Sequence, residues 1–321
     1  MMKKILIIGA GAMGAAFTVP LIDNNQKVTL TEPYNFKLLN KINNKKKFHP
    51  VLKINLSKKL SIKKFNLQPL NEKWDLVVVA VSSIGIELMR NYLKDLKQKS
   101  LILILTKGLK LEKKTNNVIS MSEQLSLGKK KLNISVLKGP CLAKELARKI
   151  KSYTVIANKK LSIAKEIGKI ISTKYYITEY STDIKGVEFS SAIKNIYSMI
   201  IGSGEGNNTS SALFRKSFDE MEYLIQHFNG KKETVRGLAG LGDLYVSAVG
   251  GRNSKMGEYL GKGFSFKNAK KKFMRNDTIE GADLAIEIAP YILKRINKKK
   301  IPLMIALLNA ITKNKKLKIN Y

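Results

Sequence analysis

A glycine-rich turn near the N-terminus constrains the fold of this chain more than any other feature. The run Gly9-Ala10-Gly11-Ala12-Met13-Gly14 follows an apolar segment, Lys3–Ile8, and opens a segment with helical character, Gly11–Asn24. A strand, a GxGxxG turn and a helix in this order form a dinucleotide-binding unit. The first glycine permits the tight turn, the second lets the backbone approach a pyrophosphate, and the third lets helix and strand pack closely. The turn therefore predicts a nucleotide site at the start of a helix.

The pattern of apolar runs predicts two domains. Short runs that are apolar on both faces, as in buried parallel strands, alternate with helical stretches. These runs are Lys3–Ile8, Lys27–Glu32, Leu76–Val81, Leu101–Thr106, Ile134–Lys138 and Ser152–Ala157. The lysine-rich segment 41–64 is predicted to form surface elements, and from about Asp183 a helical period takes over, as in Gly186–Gly202. We therefore predict an α/β fold with a Rossmann-type doubly wound sheet over residues 1–181 and an all-helical domain over residues 182–321.

The net charge suggests binding to nucleic acid or to a lipid surface, but the kind of basic residue argues against this function. Lys and Arg total 59 against 24 Asp and Glu, a net charge of +35, as in proteins that bind nucleic acid or an anionic lipid surface. However, nearly all of the basic residues are lysines spread along the chain, and Lys, Asn and Ile share A/T-rich codons. A genome with such a codon bias would produce this composition without selection for nucleic-acid binding. We expect no nucleic-acid partner, and we expect the field to attract small anionic ligands.

Several other classes of protein are excluded by what the sequence lacks. No apolar run approaches the length of about 18–20 residues that a membrane span needs. A single cysteine, Cys141, excludes an internal disulfide and a cysteine-rich zinc site, and two histidines leave little for a histidine metal site, so we expect no metal. Lys3 and Lys4 before an apolar stretch are compatible with a secretory signal peptide, but the glycine turn favours a first strand. We therefore expect a cytoplasmic protein, in which a free thiol is normal.

Residues just past the predicted strands are candidates for a ligand site, since ligands of open α/β sheets bind outside the carboxyl ends of the strands. Glu32 lies about 20 residues past the glycine turn, where a carboxylate accepts hydrogen bonds from the adenine ribose and repels a 2′-phosphate. It favours NAD over NADP, unless Lys37 offsets it or Glu32 is an ordinary surface residue. Lys107 follows the strand Leu101–Thr106. Cys141 lacks a paired base and is predicted to be a lining or packing residue.

Polar residues in the second half predict proton-transfer and phosphate chemistry. Lys194 lies in an otherwise apolar, small-residue helix, where lost solvation lowers the pKa of a lysine and suits it to acid–base work. The alternative is a lysine that extends its charge to the surface. Asp243 lies in a glycine-rich stretch, predicted to be a loop shaped for contact. Arg252 and Asn253 follow Gly250-Gly251 and precede a predicted helix, where the planar guanidinium and the helix-start N–H groups suit a phosphate.

Together and in this order, these motifs resemble NAD(P)-dependent glycerol-3-phosphate dehydrogenases over nearly the whole chain. The family patterns are GAGxxG, TKGL, GPxxAxE, GVExxxAxKN, GLAGLGDL, RN and EG. They correspond to Gly9–Gly14, Thr106–Leu109, Gly139–Glu145, Gly186–Asn195, Gly237–Leu244, Arg252-Asn253 and Glu280-Gly281. Two departures are Cys141, where the family commonly has serine or asparagine, and Ser82, where many members have proline. Neither departure removes a group that the implied chemistry needs.

The resemblance implies a role for each matching residue. Lys194 matches the catalytic lysine, and Lys107 and Asp243 match residues at the reacting carbon and its hydroxyls. Arg252 and Asn253 match the site of the substrate phosphate. The implied substrate site is Lys107, Gly139, Lys194, Asn195, Asp243, Ser247, Arg252 and Asn253. The implied cofactor site is Gly9, Gly11, Ala12, Met13, Gly14, Glu32, Lys107, Ala143, Arg252 and Glu280.

The implied activity is reversible hydride transfer between NAD(P)H and dihydroxyacetone phosphate to give sn-glycerol 3-phosphate, a precursor of glycerophospholipids. The implied cofactor is NAD, with NADP as the alternative, because the Gly-Gly-Arg-Asn form resembles the eukaryotic branch, which prefers NAD. The implied partners are a small phosphorylated substrate and a second copy of the chain in a homodimer. Two alternatives stay open. One is a related dehydrogenase acting on another phosphorylated or carboxylated keto substrate, and the other is a basic nucleic-acid or lipid-surface binder.

Overall fold

The computed structural model describes residues 2–65, 72–93, 100–128 and 132–319. The chain divides into two compact units. The first consists of Met1–Lys107 and Met121–Ile184, and the second of Gly108–Ser120 and Lys185–Tyr321. The division therefore falls three residues past the predicted boundary at 181/182, and a short segment from the middle of the first half belongs with the second unit.

An eight-stranded sheet with helices forms the first unit, as the Rossmann-type prediction requires. The strands of this unit are β1 (Lys4–Ile8), β2 (Lys27–Thr31), β3 (Phe48–His49), β4 (Ile54–Asn55), β5 (Ser61–Ile62), β6 (Leu76–Val79), β7 (Leu101–Ile104), β10 (Ile134–Lys138), β11 (Ser152–Ala157) and β12 (Tyr176–Ser181). The order in the large sheet is β12-β11-β10-β7-β6-β1-β2-β5, and β3 pairs with β4 apart from it. The central strands β1 and β6 are buried almost throughout, which explains their unbroken runs of Ile, Leu and Val.

Two features of this sheet differ from the prediction. Strand β11 runs antiparallel to β10, with Val136 opposite Ala157, whereas the other pairings in the large sheet are parallel. An apolar run has the same appearance in either direction, so the sequence pattern could not separate the two. The edge strands β5 and β12 were not predicted, because one has two residues and the other is only partly buried.

The helices of the first unit lie between these strands. They are α1 (Ala12–Asp23), α2 (Phe36–Asn44), α3 (Ile86–Tyr92), α4 (Met121–Ser126), α5 (Ala143–Ala147) and α6 (Leu161–Ile171), with a 3₁₀ turn at Ser83–Gly85. Helix α1 begins immediately after the glycine turn, as predicted. Alternation of strand and helix over this unit is the doubly wound arrangement, in which ligands bind at the carboxyl ends of the strands.

Over its described residues, the second unit is helical apart from one hairpin. Its strands are β8 (Leu109–Glu112) and β9 (Asn117–Ser120), which pair antiparallel. Its helices are α7 (Ile184–Gly202), α8 (Asn207–His227), α9 (Lys232–Val235), α10 (Asp243–Ala248), α11 (Arg252–Gly261), α12 (Phe266–Phe273), α13 (Glu280–Arg295) and α14 (Pro302–Thr312). The hairpin is a correction to the all-helical prediction. Among the described helices, none has the length and apolarity to cross a membrane.

Helix α7 forms the centre of this unit and is buried along almost its whole length. Helices α11 and α13 approach its backbone closely because they present glycine there. A Cβ atom added at Gly257 would overlap the carbonyl of Met199, and one added at Gly281 would overlap the carbonyl of Asn195. The packing therefore holds the middle of α11 and the start of α13 beside α7.

The buried carboxylate of Glu220 ties three helices of the second unit together. It accepts hydrogen bonds from the Tyr197 hydroxyl on α7 at 2.9 Å, and from the backbone N–H groups of Leu303 and Met304 at 2.7 and 3.0 Å. The first N–H groups of a helix have no partner within that helix. Glu220 supplies partners for two of them and so caps α14, although it lies far from α14 in the sequence. Burial raises the pKa of Glu220 above its usual value.

Candidate active site

A buried lysine and a buried aspartate form an ion pair in the second unit. The Lys194 ammonium lies 2.7 Å from Asp243 Oδ1, and the two residues are only 5% and 3% exposed. Lys194 Nζ also donates a hydrogen bond to the Ser247 hydroxyl. On the other side, the Ser191 hydroxyl donates to Asp243 Oδ2 at 3.2 Å. Lys194 is therefore an interior group held by a carboxylate and a hydroxyl, and the alternative of a lysine extending to the surface is wrong.

The local helices explain why these side chains meet. Ser191 and Lys194 are three residues apart on α7, and Asp243 and Ser247 are four residues apart on α10, so each pair occupies one face of its helix. The stretch around Asp243 was predicted to be a loop, but it is a π-helical turn, Leu238–Gly242, that continues into α10. Glycine is needed there for close packing, since a Cβ atom at Gly240 would overlap the backbone of Val235.

A buried pair of opposite charges gains its mutual attraction at the expense of lost hydration, so such a pair is weak evidence of a purely stabilising role. An ammonium held in place by a carboxylate and a hydroxyl is a positioned proton donor. It also fixes a positive charge at a defined point. The arrangement can therefore protonate a substrate oxygen and stabilise negative charge that develops on it.

The starts of helices α11 and α13 bring together the residues predicted to bind phosphate. Arg252 is the first residue of α11, and its Nη2 atom lies 3.4 Å from Glu280 Oε1 at the start of α13, with both side chains about half exposed. Asn253 Oδ1 accepts a hydrogen bond from the Gly281 N–H at 2.9 Å. Because the amide oxygen of Asn253 is engaged in this way, its NH₂ group is the part that can donate to a ligand.

The glycine turn of the first unit fits a dinucleotide pyrophosphate. Gly9 has a φ of +115°, and a Cβ atom there would overlap the Ala80 carbonyl, so glycine is required by the fold. A Cβ atom added at Gly14 would likewise overlap the Gly9 carbonyl. Gly11 differs, because its backbone conformation is ordinary and a Cβ atom would meet nothing within 4 Å. Its lack of a side chain therefore leaves space beside the first turn of α1, where the Ala12 and Met13 N–H groups begin the helix.

Glu32 has a different environment from the one that the sequence predicted. Its buried carboxylate accepts hydrogen bonds from the backbone N–H groups of Ala10 at 2.6 Å, Tyr34 at 2.9 Å and Asn35 at 3.1 Å. Glu32 thus holds the glycine turn to the end of β2, and the interpretation as an ordinary surface residue is wrong. Its contact with a ribose stays a prediction. Lys37 lies nearby in sequence on α2 and is exposed.

The remaining predicted residues of the first unit follow strands β7 and β10. Lys107 comes after β7, where the Thr106 hydroxyl donates to the Val81 carbonyl at 2.7 Å. Gly139 follows β10 with a φ of +132°, so glycine is needed at this turn. Ala143 begins α5, and Cys141 is half-buried and forms no disulfide. In the described parts of the chain, no cluster of His, Cys, Asp and Glu is arranged to hold a metal.

One buried lysine at this edge was not among the residues predicted from the sequence. Lys138, the last residue of β10, is 2% exposed and donates to the backbone carbonyls of Ile104, Leu105 and Thr106 at 3.3, 3.4 and 2.7 Å. It fixes the chain immediately before Lys107. A lysine that ends an apolar strand was a usable signal, but the abundance of lysine concealed it.

The folds of the two units and their polar residues define a class of protein. A Rossmann-type sheet with a pyrophosphate turn, followed by a helical unit with an interior lysine–aspartate pair, is the arrangement of a nicotinamide-dependent dehydrogenase. Family models agree with this class. The N-terminal model described as NAD-dependent glycerol-3-phosphate dehydrogenase matches residues 4–164, and the C-terminal model of the same description matches residues 183–319. The chain belongs to the NAD-dependent glycerol-3-phosphate dehydrogenase family.

Individual relatives are consistent with this assignment. An NADP(+)-dependent glycerol-3-phosphate dehydrogenase from Archaeoglobus fulgidus is 33% identical over 285 residues, which cover 84% of this chain and 84% of the relative. A glycerol-3-phosphate dehydrogenase of the NAD(P)+ type from Clostridium botulinum is 31% identical, covering 84% of this chain and 82% of the relative. The solved structure of glycerol-3-phosphate dehydrogenase from Coxiella burnetii has the same fold, with a TM-score of 0.85, 24% identity, and coverage of 98% and 96% of the two chains.

Family membership confirms the predicted fold class, activity and cofactor class. The chain is an NAD(P)-dependent oxidoreductase of glycerol 3-phosphate and dihydroxyacetone phosphate, and its cofactor is NAD or NADP. The alternative of a basic binding protein is thereby set aside.

Proposed function

We propose that the chain catalyses its reaction at the buried group of Lys194, Asp243 and Ser247, and that Lys194 transfers the proton. The hydrogen-bonded contact of Lys194 with Asp243 and Ser247 is the observation that carries this proposal. Reduction of the ketone needs a hydride at the carbonyl carbon and a proton at the carbonyl oxygen. When NAD(P)H is bound, its nicotinamide supplies the hydride. Lys194 supplies the proton, and its charge stabilises the alkoxide as it forms.

Asp243 and Ser247 keep Lys194 competent for this step. The carboxylate, 2.7 Å from the ammonium, keeps it charged in an interior that otherwise disfavours charge. The Ser247 hydroxyl fixes the direction of the ammonium. In the oxidation of glycerol 3-phosphate the same lysine accepts the hydroxyl proton. By resemblance, Lys107 and Asn195 complete the contacts with the reacting part of the substrate.

Arg252 and Asn253 bind the substrate phosphate in this proposal. Arg252 presents a planar, half-exposed guanidinium at the first turn of α11, where helix N–H groups also favour an anion. The Asn253 oxygen accepts from the Gly281 N–H, so the NH₂ group of Asn253 is its donor to the phosphate. Phosphate binding at a distance from the reacting carbon holds the carbonyl in position for the chemistry.

We assign the cofactor to the first unit, where the N–H groups of Ala12 and Met13 bind the pyrophosphate beside Gly11. Gly139 is assigned to the substrate, and Ala143 and Glu280 to the cofactor, by resemblance alone. Glu32 carries a negative charge at the end of β2, which disfavours a 2′-phosphate, so we propose a preference for NAD. The chain would act in the cytoplasm as a homodimer and supply sn-glycerol 3-phosphate to glycerophospholipid synthesis.

NADH oxidation tests the proposed substrate with a panel of ketones. The panel contains dihydroxyacetone phosphate, unphosphorylated dihydroxyacetone and a 2-keto acid. We expect dihydroxyacetone phosphate to have the highest kcat/KM, because it alone combines a ketone with the phosphate that Arg252 and Asn253 bind. A higher kcat/KM for the keto acid would contradict the proposal and favour a related dehydrogenase.

A further inference from the structure

A buried histidine lies against the glycine turn of the first unit. His49 is in β3, within the lysine-rich segment that was predicted to form surface elements, yet its side chain is fully buried. Its Nε2 atom lies 3.0 Å from the Ala10 carbonyl oxygen. Its Nδ1 atom accepts a hydrogen bond from the Leu52 N–H at 3.2 Å. The two ring nitrogens therefore connect the turn from His49 to Leu52, which we call the β3 turn, with Ala10 in the glycine turn.

These contacts determine the tautomer of His49. A backbone N–H can only donate, so Nδ1 must carry a lone pair where it faces Leu52. A carbonyl can only accept, so Nε2 must carry the proton where it faces Ala10. The ring is then neutral and donates to the glycine turn. Burial lowers the pKa of His49, which agrees with a neutral ring at neutral pH.

The peptide units of the turn are fixed on both sides of Ala10. The Gly9 N–H donates to the Thr31 carbonyl at 2.8 Å, and the Ala10 N–H donates to the Glu32 carboxylate at 2.6 Å. His49 then fixes the Ala10 carbonyl. In a trans peptide the carbonyl and the following N–H point in opposite directions, so the Gly11 N–H points away from His49. A Cβ atom added at Gly11 would meet nothing within 4 Å, so there is open space beside this residue.

We propose that His49 is a positioning residue for the dinucleotide, acting through the Ala10–Gly11 peptide. By holding the Ala10 carbonyl, it orients the N–H groups at the start of α1 toward the pyrophosphate. This inference rests on the binding of NAD(P) at the glycine turn. The contact with Leu52 alone would make His49 merely a structural part of the β3 turn, so the bond to Ala10 is the part to be tested.

Two substitutions separate the two ring nitrogens. In His49→Gln the amide nitrogen takes the place of Nε2 and can still donate to Ala10. In His49→Asn the shorter amide takes the place of Nδ1, so it can accept from Leu52 but cannot reach Ala10. We expect His49→Asn to weaken NADH binding by about tenfold, as for loss of one orienting hydrogen bond, and His49→Gln to bind NADH within about threefold of the native protein.

Calorimetric titration with NADH measures both variants, and His227→Asn, an exposed histidine of the second unit, is the control. The KM for dihydroxyacetone phosphate and the thermal unfolding midpoint should agree between the two His49 variants. Equal NADH affinity in both, or a loss that follows the unfolding midpoint, would overturn the positioning role while leaving the proposed function intact. If the native protein bound no NADH, both the positioning role and the cofactor assignment would fall.

Nitrogen NMR of the protein without cofactor gives an independent measure. The His49 ring should be neutral at pH 7, with its proton on Nε2. A proton on Nδ1 would break the contact with Leu52 as described and overturn the inference.

Discussion

The buried pair of Lys194 and Asp243 offers a prediction whose size follows from the structure. The charged atoms are 2.7 Å apart, and the side chains are 7% and 5% exposed. Removing one partner leaves the other charge buried without compensation, so Lys194→Met and Asp243→Asn should each lower the free energy of unfolding by about 3–5 kcal/mol. Removing both charges avoids this penalty, because no unpaired charge is then buried. The double variant should therefore cost less than either single variant, with a coupling energy above about 3 kcal/mol.

Urea unfolding at pH 7, followed by far-UV circular dichroism, measures this coupling in the helical unit. Trp74, the single tryptophan, lies in the first unit, so its fluorescence reports the unfolding of that unit separately. Lys255→Met on α11 is the matched control, because Lys255 is exposed and its replacement should change stability by about 0.5 kcal/mol or less. Additive costs of the two single variants, or a Lys194→Met that resembles the control, would refute the reasoning.

Three further perturbations test other residues of the account. Arg252→Lys should lower kcat/KM for dihydroxyacetone phosphate by about tenfold or more and leave dihydroxyacetone nearly unaffected, because an ammonium lacks the planar pair of donors; an equal loss for both substrates would contradict the phosphate role. The native protein should have a higher kcat/KM with NADH than with NADPH, and Glu32→Gln should narrow this preference by removing the negative charge; an unchanged ratio would show that Glu32 does not select the cofactor. Burial raises the pKa of Glu220 in the folded protein. The stability that this carboxyl group contributes is therefore fully present below its pKa in the unfolded chain, and it is lost as pH rises through its pKa in the folded protein. Urea unfolding between pH 4 and 7 should accordingly show that Glu220→Gln lacks this decline, and identical pH dependence in the two proteins would contradict it.

Much of the fold was predictable from local pattern. The glycine turn and the apolar runs located the central strands, which end at the residues predicted or up to two residues earlier, as in Leu76–Val79. Pattern could not show that β11 is antiparallel, because direction depends on how the chain returns to the sheet. It could not identify the β8–β9 hairpin either, since both strands have four residues and are only partly buried.

The site was predictable where a residue conflicted with its surroundings. Lys194 was noticeable as a charge within an apolar helix, and its burial agrees with that prediction. The contact of Lys194 with Asp243 and Ser247 joins two helices distant in sequence, so only the family resemblance suggested it. His49 and Lys138 were missed because their roles depend on backbone carbonyls, which sequence does not distinguish. His49 is a single histidine in a lysine-rich segment, so there is no second residue whose spacing from it could be interpreted. Lys138 is one lysine among many.

The turnover of Lys194→Ala shows whether Lys194 transfers the proton in the reaction. The measurement is kcat with saturating NADH and dihydroxyacetone phosphate, at a temperature where circular dichroism shows the variant folded, together with the dissociation constant of NADH. We expect kcat to fall by about 10²–10⁴-fold, the usual effect of losing a general acid, while the NADH affinity stays nearly unchanged. The same substitution at exposed Lys255 should leave both quantities unaltered. A Lys194→Ala variant that keeps near-native kcat would contradict the account.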